Sequence, residues 1–426
     1  MKISIEPKKA IWDDLCVRPY GHDESQDSLV QNILDQVKKK GDEALKQFTL
    51  KFDRVELQSF SISQEEILAA ELKIASELKE AIKIAKSNIE AFHSAQLSQT
   101  VIAETMPGVT CWQQSKPIEK IGIYIPGGSA PLFSTVLMLA VPAKIAGCKE
   151  IVLCSPPDET GKLNDAILYA AHLCGVDKIF KVGGAQAIAA LAYGTKEIPK
   201  VIKIFGPGNS FVTIAKMKVL QQGVAIDMPA GPSEVMIVAD ESADPEFVAI
   251  DLLSQAEHGA DSQVILIVDS KQILDVVTSY IHRQLKELPR KDIAMKALEN
   301  SHGIVLKNEQ DQIDFINTYA PEHLIINHAN ADVMATKINN AGSVFIGQYS
   351  PESVGDYASG TNHTLPTSAF AKSYSGVNLD SFMKKITYQK LTIEGLKNIG
   401  PHVEVMAEAE KLMAHKLAVT KRLSKI

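Results

Sequence analysis

The chain has 426 residues and a formal charge of −7, with 45% hydrophobic and 22% charged residues. That length exceeds one ordinary core, so two or more domains are expected, and the composition is that of a soluble globular protein. An acidic chain with no block of basic residues suits neither nucleic acid nor an anionic membrane surface, and neither is expected as a partner.

The N-terminus, MKISIEPKKA, has no apolar signal region, so no secretion signal is expected. Residues 25 to 100 read as mostly helical. Leu29, Ile33 and Val37, then Leu72, Ile74, Leu78, Ile82 and Ile84, follow helical rather than alternating spacing. The polar tract from Lys51 to Ser63 reads as irregular or extended. From residue 118 the texture changes to strand, glycine turn and helix: KIGIYIPGG, EIVLCSPP, KIFKVGGAQ, KVIKIFGPGN and GVAIDMPAGPSEVMIVAD. That alternation predicts a parallel α/β sheet with helices on both faces. The apolar run from Pro131 to Val141 is closed by Pro142 and Lys144. It falls short of the roughly 20 residues a membrane span needs. Cys16, Cys111, Cys148, Cys154 and Cys174 form an odd set with no CxxC pair. They read as buried thiols in a reducing compartment.

A second α/β stretch follows, with strands at QVILIVDS, HGIVLK, HLIIN and AGSVFIG and a helix from Ile273 to Leu288. After Tyr349 the run SPESVGDYASGTNHTLPTS is too polar for a core element and reads as a long loop, which in compact domains tends to carry function. Pro401 to Ile426 reads as one amphipathic helix. Val405, Leu412 and Val419 recur every seven residues along it, with His415 on or beside that stripe.

Several stretches suggest chemistry. In LSQAEHGAD, Gln255 and His258 stand three apart and share a helix face. They read either as a helix end stopped by Gly259 or as half of a metal or substrate site. APEHL reads as a polar turn before a strand or as a catalytic pair. The turns at Gly127–Gly128, Gly183–Gly184 and Gly206–Asn209 could hold phosphate oxygens or simply pack. None matches GxGxxG: in GPGNSF the third glycine is Phe211. Asp227 falls where a ribose-binding acid might sit, but that match is too common to adopt.

YIPGGSAPLFSTVLMLAVPAKIAGC, GPGNSFVTIAK, DMPAGPSEV, LLSQAEHG, APEHL and SVGDYASGTNH occur in this order. With these motifs the chain resembles the histidinol dehydrogenases over nearly its whole length. The resemblance implies two α/β units with incomplete Rossmann-like, mainly parallel sheets. It implies an N-terminal arm (1–20), a larger discontinuous domain (21–120 with 235–376), an inserted domain (121–234) and a helical dimerisation tail (377–426). It implies oxidation of L-histidinol to L-histidine through L-histidinaldehyde, the last step of histidine biosynthesis, with two NAD+ reduced. A cytoplasmic homodimer with shared sites and one Zn2+ per subunit is implied as well. The implied zinc ligands are Gln255, His258, Asp356 and His415, and the implied catalytic pair is Glu322 and His323. Substrate contacts fall on Ser233 and Glu410, together with Gln255, His258, His323, Asp356 and His415. NAD contacts fall on Tyr124, Gln186 and Asn209.

These residue types suit that chemistry. Zinc accepts imidazole nitrogen and carboxylate oxygen, the Gln255 carbonyl being a less usual ligand. His323, near the ordinary imidazole range, suits a base for both hydride steps, and Glu322 suits positioning the water that attacks the aldehyde. Glu410 and His415 lie five residues apart, and helical spacing would not have paired them. His363 is a rival ligand by composition, placed outside the metal's ligand set. Competing readings are a related dehydrogenase for another small alcohol, a zinc hydrolase using Glu322, and a non-catalytic imidazole-binding protein.

Overall fold

The computed structural model describes residues 1–19, 24–127 and 131–426. Gly128, in the first of the three glycine turns, lies outside the described residues. The strands in chain order are β1 (Lys2–Ile5), β2 (Val101–Met106), β3 (Val109–Pro117), β4 (Lys120–Tyr124), β5 (Glu150–Ser155), β6 (Lys178–Lys181) and β7 (Lys203–Phe205). They continue with β8 (Ala225–Ile226), β9 (Glu234–Ala239), β10 (Gln263–Val268), β11 (His302–Val305), β12 (His323–Asn327), β13 (Ser343–Ile346) and β14 (Met383–Leu391).

Two parallel sheets organise the chain. One is five-stranded in the order β6-β5-β4-β7-β8, the other six-stranded in the order β1-β11-β10-β9-β12-β13. Counted from β4 and from β9, each reads third, second, first, fourth, fifth, with β1 added at the far edge of the second. Their central strands are buried on both faces, as parallel strands covered by helices must be: all six residues of β9 and of β10 are buried. The alternation of side chains builds a core on each face. Ile121, Ile123, Ile151 and Leu153 point to one side of the five-stranded sheet, and Tyr124, Val152 and Cys154 to the other.

The helices of residues 24–94 cover this five-stranded sheet. Val30, Ile33, Leu34 and Val37 join one of its cores, while Ile82 and Ile89 join the opposite one. The expectation that residues 21–120 go with 235–376 therefore differs from the packing. An apolar stripe shows that a helix has a buried face but does not show which sheet covers it. The expected arm is also more than an arm. β1 pairs in parallel with β11, and Trp12 packs into a core of the six-stranded sheet.

A third, antiparallel sheet, β14-β3-β2, was not foreseen. It places a strand at the head of the tail expected to be helical. Beyond it, the single expected helix is two, Ile393–Ala409 and Met413–Leu423, separated where Lys411 turns left-handed at φ 60°. Pro401 lies inside the first of them. The stripe expected to be buried is exposed: Val405 is 68% and Leu412 45% accessible, and no residue of Met413–Leu423 is buried. Cys148, Cys154 and Cys174 are buried as expected, but Cys16 and Cys111 are half-buried. No described helix is long and apolar enough to cross a membrane.

Candidate active site

β9 and β12 lie side by side at the centre of the six-stranded sheet, in a register that sets His323 opposite Val235. Glu322, one residue before β12, therefore meets Glu234 at the head of β9. The Glu234 main chain braces both: its N–H donates to Glu322 Oε2 at 2.8 Å, and its carbonyl lies 3.1 Å from His323 Nδ1. A carbonyl only accepts, so Nδ1 carries a proton and Nε2 is the lone-pair nitrogen of the neutral ring. Arg18 grips the Glu234 carboxylate at 2.9 and 3.1 Å and stacks on Tyr319.

His323 Nε2 stands 3.3 Å from Asp356 Oδ1, misaligned for a hydrogen bond, so both atoms are buried and unpartnered. His323 Nδ1 is 3.5 Å from Glu322 Oε2. Burial works against an imidazolium here, yet Glu322 and Asp356 hold His323 well above its ordinary range. That departs from the ordinary value expected of the base. Burial raises Glu322, with the His323 charge opposing it, and the pair titrates as a unit.

The helix Pro245–Ala256 leaves the carboxyl edge of β9 and returns to its amino edge. It delivers Gln255, fully buried, and one turn later His258, which is exposed. The helix has ended by then: Glu257 caps it, and the His258 N–H donates to the Gln255 carbonyl at 3.2 Å. A short helix, Glu352–Tyr357, packs on this end. Glu352 accepts from Ser254 Oγ at 3.0 Å and, with the Gln255 amide nitrogen facing it, from Gln255 at 2.9 Å. In that orientation Gln255 Oε1 is left over as an acceptor. Burial pushes Glu352 up to about 8. Asp356 lies one turn further along; burial opposes its ionisation, but the neighbouring imidazoles keep it below the usual carboxylate value. His258, lowered by desolvation, feels Asp356 in the opposite sense. His363 has both nitrogens engaged, with Nε2 3.0 Å from Thr135 Oγ1 and Nδ1 2.8 Å from the Asp356 carbonyl.

Not every expected residue joins this group. Ser233, half-buried, sits just before β9. Glu410, capping the end of the penultimate helix, and His415, on the last helix, are exposed. Among the described residues no three His, Cys, Asp or Glu side chains are gathered closely enough to hold a metal. Within one chain, then, His415 is not brought to His258 and Asp356.

The second part of the site lies at the carboxyl edge of the five-stranded sheet, a cavity of about 950 Å³ lined by Tyr124, Gln186 and Asn209. It sits where strand order reverses between β4 and β7, the usual crevice for ligands of open parallel sheets. Gly206 sets how closely the chain leaving β7 lies against β4. At φ 118° it lies so close to β4 that a Cβ would meet the Tyr124 carbonyl at 2.1 Å. Tyr124 OH accepts from the Gly184 N–H at 3.0 Å, and the Asn209 side chain caps the next helix by accepting from Val212 N–H. Burial raises the Tyr124 phenol. Asp227 is committed elsewhere, to a buried ion pair with Lys216 and to the N–H groups of Gly206 and Met228, both at 2.8 Å. The two parts touch. Pro131 lines the cavity, and Thr135, one turn on, meets His363 beside Asp356.

Sequence reasoning missed Arg18, Glu234 and Glu352. Glu234 and Glu352 stand in or beside words read for other residues, Ser233 in DMPAGPSEV and Asp356 in SVGDYASGTNH, and Arg18 lies 216 residues from Glu234.

A nucleotide-sized crevice beside a buried acid–imidazole pair, on two doubly wound sheets, defines an α/β oxidoreductase. The family model of histidinol dehydrogenase matches residues 17–423. The histidinol dehydrogenase of Bacteroides thetaiotaomicron is 57% identical over 424 residues, covering 100% of this chain and 99% of that protein. That of Haemophilus influenzae is 55% identical, covering 95% and 93%. The crystal structure of histidinol dehydrogenase from Elizabethkingia anophelis superposes with a TM-score of 0.98 at 55% identity, covering 100% of this chain and 98% of that one. The chain belongs to the histidinol dehydrogenase family.

Proposed function

We propose that the chain oxidises L-histidinol to L-histidine through L-histidinaldehyde, reducing two NAD+, as a zinc-dependent cytoplasmic homodimer with shared sites. The observation that carries this reading is the pair of buried, unpartnered atoms 3.3 Å apart at the amino edge of β12, His323 Nε2 and Asp356 Oδ1.

The donor set fits zinc. Gln255, His258 and Asp356 would hold it from one chain, with His415 of a second copy completing the set. The metal, when bound, supplies positive charge for an oxygen that becomes anionic. His323 in its neutral form takes the O–H proton at Nε2 in each oxidation, a form that Asp356 no longer disfavours once its charge is spent on a metal, while the Glu234 carbonyl fixes the ring through Nδ1. Glu322, held by the Glu234 N–H, orients and deprotonates the water that adds to the aldehyde. Ser233 and Glu410 grip polar groups of the substrate. Tyr124, Gln186 and Asn209 hold NAD in the cavity, whose Pro131 side leads toward Asp356. The exposed apolar residues Val405, Leu412, Met413 and Leu417 suit burial against a second copy. That contact would give His415 and Glu410 a destination.

NADH formed per histidinol consumed is expected to be two, falling to no turnover after chelation and returning with Zn2+. A ratio of one, or full turnover by metal-free protein, would refute the reading. Mixing inactive His258→Ala with inactive His415→Ala chains should restore activity. No recovery, with subunit exchange demonstrated, would count against a shared site.

A further inference from the structure

The cavity at the carboxyl edge of the five-stranded sheet holds an acid that the contacts above leave unused. In doubly wound sheets the ribose of a bound dinucleotide is usually held by an acid at the end of the second strand. Here that strand is β5, and it runs out into Ser155, Pro156, Pro157 and Asp158. Asp158 is tied back to its own turn through one oxygen: Oδ1 accepts from the Thr160 N–H at 2.8 Å, the Thr160 hydroxyl at 2.7 Å and the Lys162 N–H at 3.0 Å. Asp227 is held by Lys216 and two backbone N–H groups, as described.

The other carboxylate on the wall, Asp53, comes from outside the sheet and makes no side-chain hydrogen bond through its buried oxygen. It ends the helix Asp42–Asp53 of the N-terminal layer, where Arg54 turns left-handed. Asp53 Oδ2 is buried and has no hydrogen-bond partner. Ser155 Oγ, lining the same cavity, is buried and unpartnered as well. Two unmet polar groups in one cavity are costly unless a ligand meets them. Beside Asp53, the apolar side chains of Leu29, Ile33 and Phe52 line the cavity, with Leu29 41% and Phe52 44% accessible, as a slot for a flat base would be. Pro131, by contrast, leads to Thr135 and His363. The base end of a dinucleotide therefore lies toward the helical layer and its reactive end toward Asp356.

We propose that Asp53, with Ser155, receives the vicinal hydroxyls of the adenosine ribose and makes the cavity select NAD over NADP. The assignment rests on the reading of this cavity as the NAD site. An ionised carboxylate accepts from both hydroxyls at once, and a 2′-phosphate would place like charges in contact. Burial pushes Asp53 up to about 6, so it remains mostly ionised at neutral pH.

Binding of NAD, 2′-deoxy-NAD and NADP to the full-length protein tests this by titration calorimetry. NAD is expected to bind about 10- to 100-fold tighter than 2′-deoxy-NAD, the range for a hydrogen bond to a charged group. Asp53→Asn should lose a similar factor for NAD and narrow the NAD-to-NADP ratio. Equal affinity of unmutated protein for NAD and 2′-deoxy-NAD would overturn the proposal, and so would unchanged selectivity in Asp53→Asn. Asn209→Ala separates the two failures. If it weakens NAD while Asp53→Asn does not, only the Asp53 assignment falls; if it leaves NAD binding untouched, the cavity reading falls with it.

Discussion

The two parallel sheets share one strand order but are used at opposite ends. In the five-stranded sheet the carboxyl edge between β4 and β7 is open, a cavity there being lined by Tyr124, Gln186 and Asn209. In the six-stranded sheet the corresponding edge is filled. Asp240, after β9, reaches across to the Ala329 N–H at 3.0 Å beyond β12, accepts from the Ser242 N–H at 3.0 Å, and lies 3.6 Å from His328. Burial opposes its ionisation, yet these bonds hold its carboxyl below the usual range. The acid–base pair sits instead at the amino edge. Topology offers a crevice at each reversal of strand order, and a few side chains decide whether it stays vacant.

This contrast can be broken in four places. The largest effect is expected at the amino edge. His323→Asn should lower turnover by about 10²–10⁴-fold, with zinc content measured by elemental analysis unchanged. Loss of the metal would make His323 a ligand instead. At the open edge, Lys216→Met leaves Asp227 buried without its cation. It should cost about 3–5 kcal/mol in denaturant unfolding, together with NAD affinity. A cost below about 1 kcal/mol would show that water already screens that pair.

At the filled edge, Asp240→Ala strands the Ala329 N–H and should cost about 1–3 kcal/mol while turnover stays within about twofold. A collapse in turnover would give that edge a role in catalysis. The smallest effect is a pH dependence at Asp53, raised from 3.8 to about 6 by burial. Below 3.8 the carboxyl is neutral in both folded and unfolded chains. As pH climbs through that window the unfolded chain ionises first, so the stability contributed by the neutral form is lost. Asp53→Asn should therefore raise the melting temperature at pH 8 and barely change it at pH 4. An equal gain at both would assign it to packing.

Much of this was readable in the sequence because strand–turn–helix units carry local signals. Apolar runs such as QVILIV, punctuated by glycine, marked both parallel sheets, and the site motifs stood in contiguous words. What escaped depends on contacts between distant segments. β14 pairs with β3, Leu391 opposite Val109, and neither strand's half-polar pattern announces the other. The break at Lys411 left the seven-residue repeat intact, so two helices read as one. Asp53 is a lone acid without a surrounding word, and Glu352 stands just before a word read for Asp356. Their importance comes from burial, which one sequence does not display.

The brace on Glu322 and His323 is a peptide unit, the N–H and C=O of residue 234. Side-chain drift at that position cannot erase it, and of the natural amino acids only proline would remove the donor. The alignment of Glu322 with His323 is thus stored in strand pairing, a more durable record than any side chain in the pocket. One residue of slippage between β9 and β12 would scramble it while leaving both side chains in place in the sequence.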